Sequence, residues 1–184
     1  GSEPIHVVSR IVGGQPATSN QFPFFASLTI SASLHCGASF IAPNYVLTAA
    51  HCIEPPSYVL IPYTFIRYNS NMYGEGRMIK VKHLAQHPEY NPSTQQFDFA
   101  IMELEESANE DEIDIVDLYD QSASLVGKAG TVMGFGSTSG DANDIPEELQ
   151  YVNLDILNDA DCYNITTVTN FTSMLCVGGR FGKS

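Results

Sequence analysis

The sequence predicts an all-β protein. Short runs in which apolar residues alternate with polar ones recur along the chain. Proline, glycine and asparagine cluster between those runs and supply turn chemistry. The helical signal is confined to a single capped turn beginning near Asn158.

Residues 21–30 read as a strand entered through Pro23. Residues 35–41 and 45–48 read as two more, separated by Ala42, Pro43 and Asn44, which favour a turn. Residues 64–68 and 78–84 continue the series. Residues 87–92 form a loop, because Pro88 and Pro92 cannot donate to a ladder. Residues 97–104 are the next strand, with Phe97, Phe99 and Ile101 alternating against Asp98 and Ala100. About six strands at this spacing predict a closed barrel.

Residues 127–136 are a glycine-rich strand, and residues 137–146 a small, polar loop. Residues 149–157 alternate as a strand. Asn158 or Asp159 caps one helical turn through Cys162, and residues 174–177 end the series. About three strands is fewer than a small barrel needs, so this second unit reads as half supplied, with open edges.

The chain has 184 residues, enough for one sizeable core or two small ones. Its 43% hydrophobic and 16% charged composition is that of a globular protein. No apolar run approaches the roughly 20 residues that span a bilayer, so no membrane partner is expected. The net charge of −13 argues against nucleic acid, whose phosphates need a basic surface. The densest acidic block is Asn109-Glu110-Asp111-Glu112-Ile113-Asp114, followed by Asp117 and Asp120. It reads as a solvated linker between two units in preference to a cation site.

Cys36, Cys52, Cys162 and Cys176 allow three pairings, of which local pairing is the simplest. None forms a C-x-x-C pair, which weakens a zinc reading. Asn164 and Asn170 each begin a glycosylation acceptor tripeptide. Together with an even cysteine count they point to a secretory, extracellular route. Gly1-Ser2-Glu3-Pro4 reads as a cloning remnant on a processed chain, without a signal peptide.

Two residues carry candidate chemistry. His51, in Thr48-Ala49-Ala50-His51-Cys52, titrates near neutrality and can take and return a proton. Asp98, flanked by Phe97 and Phe99, needs a partner if it is buried, or else points to solvent from the polar face of its strand. His6, His35, His83 and His87 have no comparable context and read as surface or loop residues.

Aligned in order, these strings resemble the trypsin/chymotrypsin family of serine endopeptidases, from Arg10 to Ser184. Arg10-Ile11-Val12-Gly13-Gly14 is similar to the activation junction. Thr48 to Cys52 is similar to the histidine segment, and Asp98-Phe99-Ala100-Ile101 to the aspartate segment. Gly134-Phe135-Gly136 resembles the start of the second lobe, with Phe where Trp is usual. The resemblance implies two six-stranded antiparallel barrels of the chymotrypsin type, the second incomplete in this chain. It divides the chain into a pro-segment at 1–10, an N-terminal barrel at 11–108, an acidic linker at 109–124 and a partial C-terminal barrel at 125–184.

The resemblance also implies roles. His51 is the general base and acid, and Asp98 orients it. Cys36 pairs with Cys52, and Cys162 with Cys176. An activating protease cuts after Arg10, freeing an amine at Ile11 that folds inward. Ser184 falls at the base of the substrate pocket, where a serine favours aromatic or large apolar side chains. The substrate is a polypeptide. No cofactor and no metal are expected, because the family's calcium loop falls near residues 69–77, where Glu75 is the only carboxylate. Gly182-Lys183-Ser184 is not a phosphate loop, since Val177 occupies the position of the required glycine.

The family's Gly-Asp-Ser-Gly segment is absent from the sequence, so the nucleophile is expected outside this chain, which alone is expected to be inactive. A complementary C-terminal fragment would supply it. The competing expectation is a catalytically silent binding or inhibitor protein, like the glucanase inhibitors of plant-pathogenic oomycetes. A third is an inert fragment.

Overall fold

The computed structural model describes residues 13–53, 61–120, 123–137, 145–163, 171 and 173–178. Ten strands and one short helix lie within them: β1 (Gln15–Pro16), β2 (Phe25–Ile30), β3 (Ser33–Ala42), β4 (Tyr45–Thr48), β5 (Thr64–Tyr68), β6 (Arg77–Gln86), β7 (Ala100–Leu104), β8 (Ala129–Gly134), β9 (Gln150–Ile156), α1 (Asp159–Tyr163) and β10 (Val177–Gly178).

Six strands close into an antiparallel barrel in the order β2-β3-β4-β7-β6-β5. Closure leaves no edge, which removes the unpaired N–H and C=O groups an open sheet presents. Inside it, Leu28, Phe40, Val46, Ile66, Val81 and Met102 are fully buried. Phe40 and Tyr68 meet edge to face, with centroids 5.5 Å apart. Bulges in β3 and β6 interrupt their registers with β4 and β7, bending the strands enough to close the barrel.

The second sheet is partial. β8 pairs along one side of β9, while β1 and β10 share the other side at opposite ends. The architecture is therefore all-β, with one closed barrel and one partial sheet. β1 lies outside the predicted strands and joins the start of the chain to the second sheet, Gln15 facing Tyr151. A small core of Ala17, Phe25, Phe135 and Leu149 sits between the barrel and the partial sheet. Phe135 packs against Phe25 and Tyr73, with centroids 6.0 Å and 5.8 Å away. Asn71 reinforces this junction by donating to the Ala17 carbonyl at 2.9 Å.

Three strand expectations need correction. The last strand, expected at residues 174–177, is β10 at Val177–Gly178, with residues 174–176 outside it. β2 begins at Phe25, because residues 22–25 form a turn closed by Phe25 N donating to the Phe22 carbonyl at 2.9 Å. β7 begins at Ala100, so Asp98 lies in the loop before it. The alternation also runs the other way. Ala100, Met102 and Leu104 face the core, while Phe99 and Ile101 are exposed. Register fixes this: Thr48 pairs with Ala100 and Val46 with Met102, and Val46 and Thr48 are buried too.

The acidic stretch is packed onto the first barrel. Ala108 and Ile113 are buried in the barrel core, and Val116 N donates to the Phe40 carbonyl at 3.0 Å. Arg77 and Glu112 approach to 2.7 Å as an ion pair. Glu110, Asp111, Asp114, Asp117 and Asp120 remain exposed. In α1, Asn158 caps the helix as expected: its side chain accepts from Asp161 N and donates to the Asp161 carboxylate, each at 2.9 Å.

Candidate active site

His51 sits on a single 3-10 turn, Ala50–Ile53, that follows β4. Cys52 N donates back to the Ala49 carbonyl at 3.2 Å, closing the turn. Ala50, Cys52 and Ile53 are buried, which turns the His51 side chain outward, half exposed at 50%. Several anchors hold the turn. The Cys36–Cys52 disulfide ties it to β3. Thr48 Oγ1 donates to the Gly37 carbonyl at 2.8 Å. Gln86 reaches from β6 and donates to the carbonyls of Ala50 and Ile53, at 2.9 Å and 3.2 Å.

Asp98 meets His51 from the loop between β6 and β7. Its Oδ1 accepts from the His51 backbone N–H at 2.8 Å, and its Oδ2 lies 2.7 Å from His51 Nδ1. The carboxylate is 23% exposed, and these two bonds compensate its partial loss of water. An ionised carboxylate only accepts, so opposite one this geometry calls for the proton on Nδ1 and leaves the Nε2 lone pair free. Asp98 thus fixes the histidine's tautomer and its orientation together. The pair can accept a proton at Nε2 and stabilise the resulting imidazolium.

Beside Asp98 and Phe99 lies an open cavity of about 950 Å³, lined also by Phe24, Leu47, Val132 and Met133. Its walls belong to the barrel and to β8. His51 also stands next to the disulfide sulfurs, with Nε2 3.6 Å from Cys52 Sγ. Potential ligand atoms of Cys36, His51 and Cys52 lie within 4.8 Å of one another, but the sulfurs are bonded to each other and offer no thiolate to a metal.

The trypsin family model matches residues 11–184. The chain belongs to the trypsin family. Trypsin alpha of Drosophila melanogaster is 33% identical over 159 residues, covering 85% of this chain and 60% of that protein. Trypsin beta of Drosophila erecta is 34% identical over 155 residues, covering 83% and 60%. Trypsin alpha-4 of Lucilia cuprina is 33% identical over 158 residues, covering 85% and 60%. The chain spans 60% of the length of these relatives.

This trypsin-family chain brings together the two residues that the sequence singled out, His51 and Asp98. It also pairs Cys36 with Cys52 and Cys162 with Cys176. Arg10, Ile11, Asn164, Asn170 and Ser184 lie outside the described residues. Among the described residues, no helix is long and apolar enough to cross a membrane. The supports supplied by Gln86 and by Ser173, whose Oγ accepts from Phe97 N at 2.8 Å, are additions that the sequence did not signal. Each is a side-chain contact between distant segments, and neither residue sits in a motif.

Proposed function

We propose that this chain is the larger part of a secreted serine endopeptidase, made as a precursor and activated by cleavage after Arg10. The observation that carries the reading is the double grip of Asp98 on His51, ring at 2.7 Å and backbone at 2.8 Å. Membership of the trypsin family supports it. The two disulfides support an oxidising, extracellular setting.

His51 Nε2 takes the proton of a serine hydroxyl as its oxygen attacks the carbonyl carbon of a peptide bond. The imidazolium that forms is stabilised by Asp98 and returns its proton to the leaving amine. Water then repeats the sequence on the acyl-enzyme. In this reading the serine comes from outside residues 1–184, and these residues alone are expected not to hydrolyse a peptide. The partners are therefore a polypeptide substrate, an activating protease and the segment bearing the serine. The proposed division is a pro-segment at 1–10, a barrel at 11–108, a linker at 109–124 and a second unit at 125–184. Ser184 is assigned to the substrate pocket, with a preference for aromatic or large apolar residues.

A fluorophosphonate probe tests the reading. The complete protein, cut after Arg10, is expected to be labelled on its serine, and His51→Ala is expected to abolish both labelling and peptide cleavage. A folded, activated, complete protein that ignores the probe and cleaves no peptide would leave the silent binding-protein reading in its place.

A further inference from the structure

Asp98 is gripped from behind as well as in front. The segment that carries it leaves β6 at His87 and returns to β7 at Ala100, and His87 N donates to the Phe99 carbonyl at 2.9 Å, closing its base. Within the segment, Asn91 Oδ1 accepts from the backbone of Ser93 and Thr94 at 2.9 Å and 3.2 Å. Asn91 N also donates to the Gln96 carbonyl at 3.1 Å. The far end of the loop is therefore held by its own bonds. Asp98 itself follows a residue in an unfavourable conformation.

That residue is Phe97, with φ at 54°. A bulky aromatic in the left-handed region is a genuine outlier and costs on the order of 1–3 kcal/mol, so it persists only where neighbours over-determine it. Two contacts do so. Ser173 Oγ accepts from Phe97 N at 2.8 Å, reaching over from the second unit. The imidazole of His87 lies flat on the Phe97 ring, with centroids 4.9 Å apart and planes within 10°. The same imidazole meets the Phe99 ring edge to face, also at 4.9 Å. His87 therefore touches the residue before Asp98 and the residue after it.

The imidazole is itself fixed. Its Nδ1 accepts from Glu89 N at 3.2 Å, so the neutral ring carries its proton on Nε2. Pro88 follows His87 directly and restricts its backbone to extended conformations.

We propose that His87 is a positioning residue for the proton-transfer pair. Its ring, wedged between Phe97 and Phe99, holds the peptide units on either side of Asp98 so that the carboxylate faces His51. The inference rests on the reading of His51 as general base only for its catalytic consequence. The geometric claim is separate.

Proton NMR of the 184-residue chain tests the geometric claim without any need for hydrolysis. The probe is the His51 Nδ1–H proton, which exchanges slowly with water while bonded to Asp98. His87→Ala is expected to broaden or erase this signal under conditions where the native chain shows it, with the thermal transition still cooperative. His87→Phe restores an aromatic face between the two phenylalanines and is expected to recover the signal, although it cannot accept from Glu89 N. Ser173→Ala, which removes the hydrogen bond to Phe97 N, is expected to add to the loss when combined with His87→Ala. An unchanged signal in a folded His87→Ala chain would overturn the proposal, as would equal loss in the Ala and Phe variants. Absence of peptidase activity in the complete protein would refute the general-base reading and leave this measurement untouched.

Discussion

His51 Nδ1 lies 2.7 Å from Asp98 Oδ2, although 47 positions separate the two residues in the chain. Barrel topology accounts for the meeting. β4 and β7 are neighbours, with Thr48 opposite Ala100. The turn after β4 and the loop before β7 therefore emerge at the same rim. The carboxylate then binds both the backbone and the ring of His51, so the imidazole cannot rotate without breaking a charge-assisted bond.

Replacing Asp98 with Asn keeps the shape and removes the charge. The amide can donate to Nδ1, which pushes the proton to Nε2 and blocks the base. On the proposed endopeptidase reading, kcat of the complete protein cut after Arg10 should fall by about 10⁴, the size of this effect in the serine–histidine–aspartate template, while KM changes little. Steady-state hydrolysis of a peptide ester checks it, and a loss under tenfold would contradict the assigned role of Asp98.

The Cys36–Cys52 bridge should matter for both stability and site geometry. It closes a loop of 16 positions, and removing it as Cys36→Ser with Cys52→Ser should cost about 3 kcal/mol. Urea unfolding measures the cost. Because Cys52 adjoins His51, the double variant should also show faster hydrogen exchange at the His51 amide, which is bonded to Asp98. Native-like exchange there would show that Thr48 and Gln86 suffice to hold the turn.

Two glycines of one turn should respond differently to alanine. Both have positive φ, 74° at Gly74 and 93° at Gly76. A Cβ at Gly74 would meet nothing within 4 Å, so the cost is the backbone alone, about 1 kcal/mol. A Cβ at Gly76 would collide with the backbone carbonyl of Tyr68, which β5 holds in place. Gly76→Ala should therefore cost roughly 2–4 kcal/mol, at least twice the Gly74→Ala value. Equal costs in urea unfolding would contradict the geometry of this turn.

On the outer face of β6 and β7, Glu103 accepts from Lys82 at 2.6 Å and faces His83 Nδ1 at 3.0 Å. The hydrogen bond from Lys82, then that from His83, hold the Glu103 carboxyl below its ordinary value of 4.5. The folded state thus favours the ionised form. Its contribution is complete above the ordinary value and is lost as pH falls through the depressed one. Melting curves from about pH 6 to about pH 3 should show the native chain losing more stability than Glu103→Gln. Parallel curves would mean that the pair contributes nothing at this exposed position.

Most of the barrel was legible in the chain, and the exceptions are physical. β4 and β5 fall where the alternation places them, because each has one face in the core and turn residues at its ends. Residues 97–99 read as strand, since their alternation is strand-like. In the structure, positive φ at Gln95 and Phe97 interrupts the strand, and the Asp98 carboxylate bonds to His51. The apolar side chains of Phe99 and Ile101 then face outward, against what hydrophobicity alone predicts. At the site, the sequence singles out His51 and Asp98 by the segments they sit in, and the structure brings the two side chains together. It does not single out His87, because its role depends on stacking against rings ten and twelve positions away, for which the sequence carries no local pattern.

The tautomer of His51 tests the central claim most directly. Free histidine favours a proton on Nε2, whereas a carboxylate on Nδ1 demands the proton there and leaves Nε2 bare. Long-range ¹H–¹⁵N correlation on the neutral ring distinguishes the two. The account predicts a protonated Nδ1 and an unprotonated Nε2 in the native chain, reversed in Asp98→Asn. A native His51 with its proton on Nε2 would contradict it.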